Sequence, residues 1–466
     1  MITNRSWQEI PQTYRKREAR IVADWILRGS SGSVAGLPGA GKSNFLSFIC
    51  HRPEVIRALL VPSQIECVLI PIDLNNLPDD SPATFYRVIL RCFYEIREYL
   101  EPELQKLIES SYMENRSIQD PFLVQSALRE IIMQCRNQGQ QLGFVFDRFD
   151  DFCETALPHM TAALRGLRDS YKDALFYILG MRQEPAYLSE SLDLGEIYEL
   201  VDTNICWIGP MSTEDATLLI EQELAHSTLS PSKEEMVAIW HLAGGFPSLL
   251  KAICTSWLNL TDGAFPESWH ESLLATPGVI HRLQEILDDL SQEELLALSE
   301  IGRQDNRRKK SSLFQKFDEQ NQHVLKHLTK KGVCQPCETG WCITSELLTA
   351  FLDTKTGYGK GRIWWDAETE AVYQGSTLIQ DLTPLGRGVL QFLLQYPRLR
   401  HTKTDLIVNA WPDELKKMGV SDDSLYQVIA GLRKKIEPIP AKPCYILNWR
   451  GKPEGGYLIF PEGRPA

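Results

Sequence analysis

Short apolar runs alternate with longer segments of helical periodicity through the first 208 residues of the chain. The runs predict five strands, at residues 33–35, 67–73, 142–147, 174–180 and 204–209. Residues 7–29 predict an amphipathic helix before the first strand, and residues 82–108 and 122–138 predict long helices between later strands. Strands that alternate with helices in this way predict a doubly wound parallel sheet.

The pattern becomes entirely helical after this region. Ser212 is followed by acidic residues and is predicted to cap a helix. A second helix ends at the Gly-Gly-Phe-Pro tetrapeptide of residues 244–247, and a third begins directly after it. We therefore predict a sheet domain at residues 1–208 and a helical lid at residues 209–285.

The order of elements expected for a winged helix follows at residues 286–352. Three short helices and a hairpin at residues 334–343 are predicted there. The hairpin carries three cysteines, which leaves two alternatives open. One is a zinc site completed by a nearby histidine, and the other is a hairpin that explains the cysteine spacing without metal. The residues concerned are Cys334, Cys337, Cys342, His323 and His327.

A Gly- and Lys-rich linker at residues 353–361 precedes a compact C-terminal segment at residues 362–466. Its pattern predicts a small sheet, three helices and a terminal hairpin. The third helix is predicted at residues 421–436, where apolar residues recur at the spacing of a buried helix face. These core positions are Leu425, Val428, Ile429, Leu432 and Ile436.

The charge is unevenly distributed along the chain. The net charge of the 466 residues is −12, whereas residues 355–466 carry 16 Lys and Arg against 12 Asp and Glu. This asymmetry predicts that any nucleic-acid contact lies at the C-terminal end. No apolar run approaches the ~20 residues that cross a bilayer, and the N-terminus lacks a signal-peptide core. We therefore expect a cytoplasmic protein with no membrane partner and with reduced cysteines.

Residues 36–43 read Gly-Leu-Pro-Gly-Ala-Gly-Lys-Ser, the complete GxxxxGK[ST] pattern of a phosphate-binding loop. A predicted strand precedes the loop and a predicted helix follows it, as the pattern requires. Glycines let backbone N–H groups turn toward a polyphosphate, and the helix N-terminus adds partial positive charge. Lys42 is predicted to reach the phosphates of ATP or ADP, and Ser43 to bind Mg²⁺. The predicted nucleotide contacts are Gly36, Gly39, Ala40, Gly41, Lys42, Ser43 and Asn44.

The apolar run at residues 142–147 ends in an aspartate, which is the Walker B form. A buried parallel strand carries this carboxylate to the sheet edge where magnesium and phosphates bind. Asp147 is therefore predicted to act on Mg²⁺, and Asp150 or Asp151 to orient the attacking water. The next strand ends at Arg182, which is predicted to point toward the γ-phosphate. A surface ion pair is the alternative role for this arginine.

Together these features resemble the STAND class of AAA+-related signalling ATPases over roughly residues 10–350. The matching parts are the phosphate loop, the Walker B strand, the arginine closing the next strand and the lid with its Gly-Gly-x-Pro turn. The resemblance implies that Gly245 and Pro247 abut the nucleotide. AAA+ relatives usually carry a catalytic glutamate after the Walker B aspartate, whereas this chain has Arg148. We therefore expect tight nucleotide binding and slow, regulatory hydrolysis.

Residues 362–461 resemble the OmpR-type winged-helix DNA-binding domain. The matching pieces include Leu-Thr-Pro at residues 382–384, Trp-Pro at residues 411–412 and Leu-Arg-Lys-Lys-Ile at residues 432–436. The resemblance implies that the third helix enters the major groove of double-stranded DNA and that a wing arginine reaches the minor groove. The predicted DNA contacts are Thr402, Tyr426, Gln427, Arg433, Lys434 and Arg450.

These predicted contacts divide by chemistry. Gln427 suits an adenine edge, and Tyr426 suits the backbone or a thymine methyl group. Arg433 and Lys434 suit phosphates, Thr402 can offer a phosphate its hydroxyl group, and the wing carries Arg450. A winged helix that contacts protein instead of DNA is the alternative.

The predicted fold is a multidomain α/β plus α protein: a P-loop NTPase with a parallel sheet, a helical lid, a winged helix and an OmpR-type winged helix. The leading hypothesis for its function is a nucleotide-switched, DNA-binding transcription regulator that self-associates. One alternative is an AAA+ ATP-dependent DNA-loading or remodelling enzyme. Another is a signalling or defence scaffold whose tail binds protein. No repeat of 20–50 residues is apparent, so a signal protein or ligand stays unspecified.

Overall fold

The computed structural model describes residues 7–61, 65–155, 158–188, 194–225, 227, 230–259, 269–307, 322–337, 340–355, 360–366, 370–375, 377–411, 422–451 and 454–464. The chain divides into two compact units. The first comprises Met1–Asp289 with His327–Val333, and the second comprises Leu290–Lys326 with Cys334–Ala466. Within the described ranges, we find no helix whose length and apolar character would let it cross a membrane.

A parallel sheet forms the centre of the first unit. Its strands are β1 Gly32–Ala35, β2 Glu66–Asp73, β3 Gln140–Asp147, β4 Leu175–Met181 and β5 Ile205–Trp207. Their spatial order is β2-β3-β4-β1-β5, and the five predicted strands are confirmed with shifts of one or two residues at their ends. β1 and β4 are buried along their whole length, as expected for a parallel sheet covered on both faces. Because β4 lies between β1 and β3, the loops after these three strands meet at one edge.

Helices pack on both faces of this sheet. They are α1 Lys16–Leu27, α2 Lys42–His51, α3 Pro53–Leu60, α4 Pro82–Ile96, α5 Pro102–Asn115, α6 Pro121–Asn137, α7 Phe149–Thr155, α8 Pro158–Ser170 and α9 Tyr198–Val201. Short 3-10 turns occur at Trp7–Glu9, Leu74–Asn76, Arg97–Tyr99, Pro185–Tyr187 and Gly195–Ile197. Aromatic side chains join the layers, as where Phe93 of α4 meets Phe144 of β3 edge to face at 5.8 Å.

Two helices are shorter than the sequence pattern predicts. The helix expected at residues 7–29 begins only at Lys16, because Arg15 has a left-handed φ of 49° and cannot continue a helix backward. The helix expected at residues 82–108 is interrupted after Ile96, and a new helix begins at Pro102. Proline disfavours helical backbone in the residue before it, which explains the break.

The helical lid comprises α10 Thr213–Leu224, α11 Lys233–Ala243, α12 Pro247–Leu258, α13 Trp269–Ala275 and α14 Pro277–Asp288. The hydroxyl group of Ser212 accepts a hydrogen bond from the backbone N–H of Asp215 at 3.2 Å, which confirms the predicted cap. The turn between α11 and α12 requires glycine. Gly245 has a φ of 75°, and a Cβ added there would lie 2.8 Å from the carbonyl oxygen of Met211.

The winged-helix pattern of the second unit is partly described. It includes α15 Gln292–Arg307, β6 Cys334–Cys337, β7 Gly340–Ile343 and α17 Glu346–Lys355. A further helix, α16, spans residues 322–331 across the boundary between the units. β6 and β7 pair as the predicted antiparallel hairpin. The short helix predicted at residues 313–317 lies outside the described residues.

The hairpin holds a disulfide where the zinc alternative required metal ligands. Cys337 and Cys342 are bonded to each other, with Cα atoms 6.0 Å apart. The expectation of uniformly reduced cysteines is therefore wrong for this pair, because the hairpin brings the two side chains into bonding range. In the described parts of the chain, no group of three or more His, Cys, Asp or Glu side chains could hold a metal ion.

The C-terminal segment has the predicted order of elements. They are β8 Ile363–Asp366, β9 Ala371–Gln374, β10 Thr377–Leu378, α18 Pro384–Gln395, β11 His401–Thr402, α19 Lys403–Ala410, α20 Asp422–Ile436, β12 Ile446–Trp449 and β13 Gly456–Ile459. The strands form two antiparallel sheets, β10-β9-β8 and β11-β13-β12. The predicted helix core is confirmed, since Leu425, Ile429, Leu432 and Ile436 are at most 2% exposed, and Val428 packs against them half-buried.

Candidate functional site

The phosphate-binding loop connects β1 to α2. Gly39 and Gly41 have φ values of 77° and 93°, a backbone region that residues with a Cβ rarely adopt. Gly41 caps the N-terminus of α2, so the partial positive charge of that helix faces the loop. A Cβ added at Gly41 would lie 3.3 Å from Pro247, and Ser248 donates its backbone N–H to the oxygen of Gly39 at 3.2 Å. The first turn of α12 therefore packs directly on the loop.

Ser43 and Asp147 meet at the edge of the sheet. The hydroxyl group of Ser43 is hydrogen-bonded to the carboxylate of Asp147, and burial raises the pKa of Asp147 despite this bond and the charge of Lys42. Gly180 of β4 leaves room for the carboxylate, because a Cβ there would lie 3.1 Å from Asp147 Oδ1. Hydroxyl and carboxylate oxygens are ligands that Mg²⁺ prefers, so the pair fits the predicted magnesium site.

Lys42 stands at the first position of α2, among carboxylates. Burial lowers the pKa of the Lys42 ammonium group, and the charges of Asp150 and then Asp147 oppose that shift. The two acids therefore attract the Lys42 ammonium group at a place where the loop glycines expose backbone N–H groups. This combination is the anion-binding arrangement that the motif predicts.

Arg182 connects the end of β4 to both acidic residues that follow Asp147. Its backbone N–H donates to Asp150 Oδ2 at 2.8 Å, and its guanidinium group pairs with Asp151 Oδ1 at 2.9 Å. Asp150 is only 5% exposed, and its Oδ1 atom is buried with no hydrogen-bond partner among the described residues. Asp150 is thus held in place by Arg182 in the lining of the cleft, whereas Asp151 is occupied by the ion pair.

Arg148 adopts an unusual backbone conformation directly after the Walker B aspartate. Its φ is 57°, and its backbone N–H donates to Asp147 Oδ1 at 3.1 Å. The residue lines the cleft above the phosphate loop. A cation therefore faces the cleft at the position where the resemblance leads one to expect a glutamate that activates water.

The cleft above the loop has a volume of about 620 Å³, which is within the usual range for small-molecule sites. The loop and Lys42 form one wall. The C-terminal end of α14 forms the opposite wall with Glu285, Asp288 and the following residue Asp289. Burial raises the pKa of Asp289, against the attraction of Arg182 and Lys331. The sequence pattern carried no signal for these acids, because their role depends on where α14 packs.

Arg15 joins the phosphate loop to the start of the lid, and the sequence analysis missed it. The residue is 2% exposed, and its Nη2 atom donates to the oxygen of Ala40 at 2.9 Å. Its Nη1 atom donates to the oxygens of Gly209 at 2.8 Å and Pro210 at 3.2 Å. Its backbone N–H donates to Asp215 Oδ2 at 3.3 Å. One side chain therefore holds three segments that are far apart in the sequence.

A small apolar cavity lies beside the loop, on the lid side. Its walls come from the segment before α1, from the first turn of α2 and from the lid helices, and include Ile10, Tyr14, Asn44, Met211, Leu219 and Lys251. Asn44 directly follows the loop, so the cavity adjoins the predicted phosphate site. Lys251 lines both the cavity and the cleft. The volume of the cavity is about 40 Å³, far below the ~300–1,000 Å³ of typical ligand pockets, so a heterocyclic ring would enter only if the walls moved apart.

The C-terminal segment presents a helix and a hairpin with polar outer faces. On α20, the face opposite the buried leucines exposes Tyr426, Gln427 and Lys434. Lys403 lies over the ring of Tyr426 at 5.0 Å, so this face carries positive charge beside an aromatic ring. Arg450 is exposed directly after β12, at the tip of the hairpin that β12 forms with β13.

Residues 379–459 match the sequence family described as "Transcriptional regulatory protein, C terminal". The C-terminal segment is an OmpR-type winged-helix domain. The parallel sheet with its helices and phosphate-binding loop has the P-loop NTPase fold. No curated protein sequence matches the chain.

Several solved structures are distantly similar to the chain, among them the following three. A Walker-type ATPase of Pyrococcus abyssi is 15% identical, covers 73% of this chain and 95% of its own, and has a TM-score of 0.43. The Aeropyrum pernix ORC2 protein is 14% identical, and the match covers 73% of this chain and 93% of the ORC2 chain with a TM-score of 0.38. A STAND protein of Pyrococcus horikoshii with a tetratricopeptide repeat sensor is 15% identical, and the match covers 90% of this chain and 53% of the STAND chain with a TM-score of 0.29. Likenesses this distant carry no argument about function.

Arg433, a predicted DNA contact, also makes contacts within the OmpR-type domain. Its Nη2 atom donates to the oxygen of Ile446 and to Asn448 Oδ1, both at 2.6 Å, and burial lowers the pKa of Arg433. Its guanidinium group therefore ties α20 to β12, and its contact with a phosphate stays a prediction. Thr402 caps α19 by accepting from the backbone N–H of Asp405 at 3.0 Å, as predicted.

Proposed function

We propose that this protein is an ATP-binding transcription regulator of the STAND class, in which the bound nucleotide controls how the OmpR-type domain engages double-stranded DNA. The observation that supports this proposal is that one chain contains both a phosphate-binding loop, in which Ser43 is hydrogen-bonded to Asp147, and an OmpR-type domain. A lysine whose pKa is lowered by desolvation and that is surrounded by acids at the edge of a cleft is typical of a functional site.

The nucleotide would lie between the sheet and the lid. Loop N–H groups and Lys42 would bind the phosphates, Ser43 and Asp147 would hold Mg²⁺, and the apolar cavity near Tyr14 would have to widen from its volume of about 40 Å³ to take the base. Mg²⁺ would supply charge neutralisation to the β- and γ-phosphate oxygens. Pro247 packs on the loop, so the first turn of α12 would sense whether the loop is occupied.

The same geometry favours binding over rapid hydrolysis. Arg148, a cation, lines the cleft where a water-activating carboxylate would be needed. Asp150 is the better candidate to orient water, since Asp151 is paired with Arg182 and Asp150 keeps one unpartnered oxygen among the described residues. Arg182 would have to leave Asp151 to reach a γ-phosphate, which gives ATP a contact that ADP lacks.

The OmpR-type domain would read DNA with α20 in the major groove and the hairpin tip at the minor groove. Gln427 and Tyr426 would face base edges, while Lys434, Arg450 and the hydroxyl group of Thr402 would contact phosphates. A single winged helix makes few phosphate contacts. Self-association would therefore raise its affinity for DNA by joining two sites.

Genome-wide DNA footprinting of wild type and Lys42→Ala tests the proposal. We expect the variant to lose nucleotide binding and to change its occupancy of DNA sites, and the exposed Lys106→Ala on α5 to behave as wild type. Equal occupancy by wild type and Lys42→Ala would refute nucleotide control. ATP-dependent strand opening by the purified protein would point instead to a DNA-loading enzyme, and salt-insensitive capture of a protein by the tail would point to a scaffold.

A further inference from the structure

The two walls of the nucleotide cleft have opposite electrostatic character. One wall is the N-terminus of α2 with Lys42 at its first position, where the helix dipole favours anions. The other wall is the C-terminal end of α14, which carries Glu285 and Asp288 and is followed by Asp289. The carbonyl end of a helix also carries partial negative charge. A polyphosphate bound by the loop would therefore extend toward a negative surface.

Asp289 is held rigidly at this wall. Its carbonyl oxygen accepts a hydrogen bond from Lys331 Nζ at 3.3 Å and another from Gln183 Nε2 at 3.5 Å. Its side chain is less fully hydrogen-bonded, because the Oδ2 atom is buried without a hydrogen-bond partner among the described residues. The backbone is thus anchored by two side chains, and the residue lines the cleft.

The charges around the cleft do not favour a third phosphate. The cationic side chains that line it are those of Lys42, Arg148, Arg182 and Lys251. The acidic side chains that line it are those of Asp150, Asp151, Glu285, Asp288 and Asp289. The acids outnumber the cations, and Asp151 further neutralises Arg182 through their ion pair. ATP carries one more negative charge than ADP, on a γ-phosphate that would approach Lys42 and Arg182, and both of these cations also attract Asp289.

We propose that the acidic end of α14, above all Asp288 and Asp289, is a specificity determinant that disfavours the γ-phosphate and so weakens ATP binding relative to ADP binding. This inference rests on the proposed nucleotide-binding function and extends it to regulation. ATP would bind by displacing α14 or by bringing Mg²⁺ to offset the charge. Because α14 belongs to the lid, the same repulsion would convert the presence of a γ-phosphate into lid movement.

The size of the effect follows from the charges. Two carboxylates that line the same cleft as an added phosphate charge, with partial solvation and salt screening, change the relative affinity by about fivefold to tenfold. The ratio Kd(ATP)/Kd(ADP) should therefore fall by that factor in the double variant Asp288→Asn/Asp289→Asn. The change should come mainly from tighter ATP binding, since ADP places no charge near α14.

Calorimetric titration of the full-length protein with Mg·ATP and with Mg·ADP is the direct test. The matched control is Glu109→Gln, which removes an exposed carboxylate from α5, away from the cleft, and should leave the ratio unchanged. A double variant whose ratio stays within twofold of wild type overturns the inference. If wild-type protein binds neither nucleotide, the proposed function fails as well, so the two failures are distinguishable.

A second measurement guards against a double variant that does not fold. Glu285→Gln alters only the rim of the wall, where the side chain is about half exposed, and should lower the ratio by about twofold. In wild type, raising the salt concentration should lower the ratio, because screening weakens the repulsion of the γ-phosphate more than it weakens contacts common to both nucleotides. A ratio that changes neither in Glu285→Gln nor with salt overturns the inference.

Discussion

Replacing Arg15 with methionine should destabilise the first unit and uncouple the lid from the phosphate loop. Methionine keeps the length and apolar stem of the side chain but removes the guanidinium group. That group donates hydrogen bonds to the backbone oxygens of Ala40, Gly209 and Pro210 at distances of 2.8 to 3.2 Å. All three oxygens would lose a charged donor in a place that water does not readily reach.

The magnitude can be worked out from this network. A hydrogen bond to a charged group contributes ~1.5–3 kcal/mol, and the three bonds are not additive. Some of the loss is offset, because the variant no longer buries a charge whose Nε atom has no partner among the described residues. Asp215 adds to the loss, because burial already raises its pKa and Arg15 opposes that shift. We expect a net loss of ~3–5 kcal/mol, as is typical when one partner of a buried charged network is removed.

Differential scanning calorimetry of the full-length protein provides the assay. A loss of this size should lower the Tm of the first unit by about 6–15 °C, while the transition of the OmpR-type domain stays in place as an internal reference. The control Arg20→Met alters an exposed arginine of α1 and should shift the Tm by less than about 2 °C. The same small shift in Arg15→Met would show that the network contributes little to stability, and the reasoning would be wrong.

Three further predictions concern other contacts. Glu437 is fully buried, and its carboxylate accepts hydrogen bonds from the backbone N–H groups of residues 444–446 at 2.6 to 3.1 Å. Glu437→Gln should therefore lower the urea midpoint of the OmpR-type domain by the equivalent of ~2–4 kcal/mol. An unchanged midpoint would contradict this expectation. Burial alone would raise the pKa of Glu184, but hydrogen bonds from Lys330 and Trp207 outweigh it and lower that pKa. In urea titrations, the difference in unfolding free energy between wild type and Lys330→Met should therefore be largest at neutral pH and should disappear as the pH falls below about 4. A difference that does not change with pH would refute the pairing. Lys434→Ala should weaken DNA binding about equally for all sequences. In mobility-shift titrations it should also reduce the slope of log affinity against log salt concentration by about 1. An unchanged slope would show that Lys434 does not contact a phosphate.

The local features of the chain could be predicted from the order of the residues. The phosphate loop, the strand that ends at Asp147 and the cap at Ser212 depend on neighbours a few positions away, and each lies where the pattern predicts. The inward face of α20 follows from helical spacing, so its buried and exposed sides were also predictable. The pattern predicted two helix ends wrongly, because helices in the structure begin at Lys16 and end at Ile96. Local backbone conformation and a proline set these ends, and periodicity alone does not reveal them.

Only the tertiary structure shows which distant residues meet. Arg15 and Asp215 are 200 positions apart, and the acidic end of α14 reaches the cleft because of how the lid packs on the sheet. Arg433 lies on the side of α20 where spacing predicted a DNA contact, and the structure shows that it also binds the backbone of β12. Periodicity reports which side of an element is buried, whereas the partner of a long charged side chain is set by packing between elements. The sequence alone therefore determined the presence of a phosphate site and a winged helix, and packing decided which charges surround the first and which backbone atoms Arg433 contacts in the second.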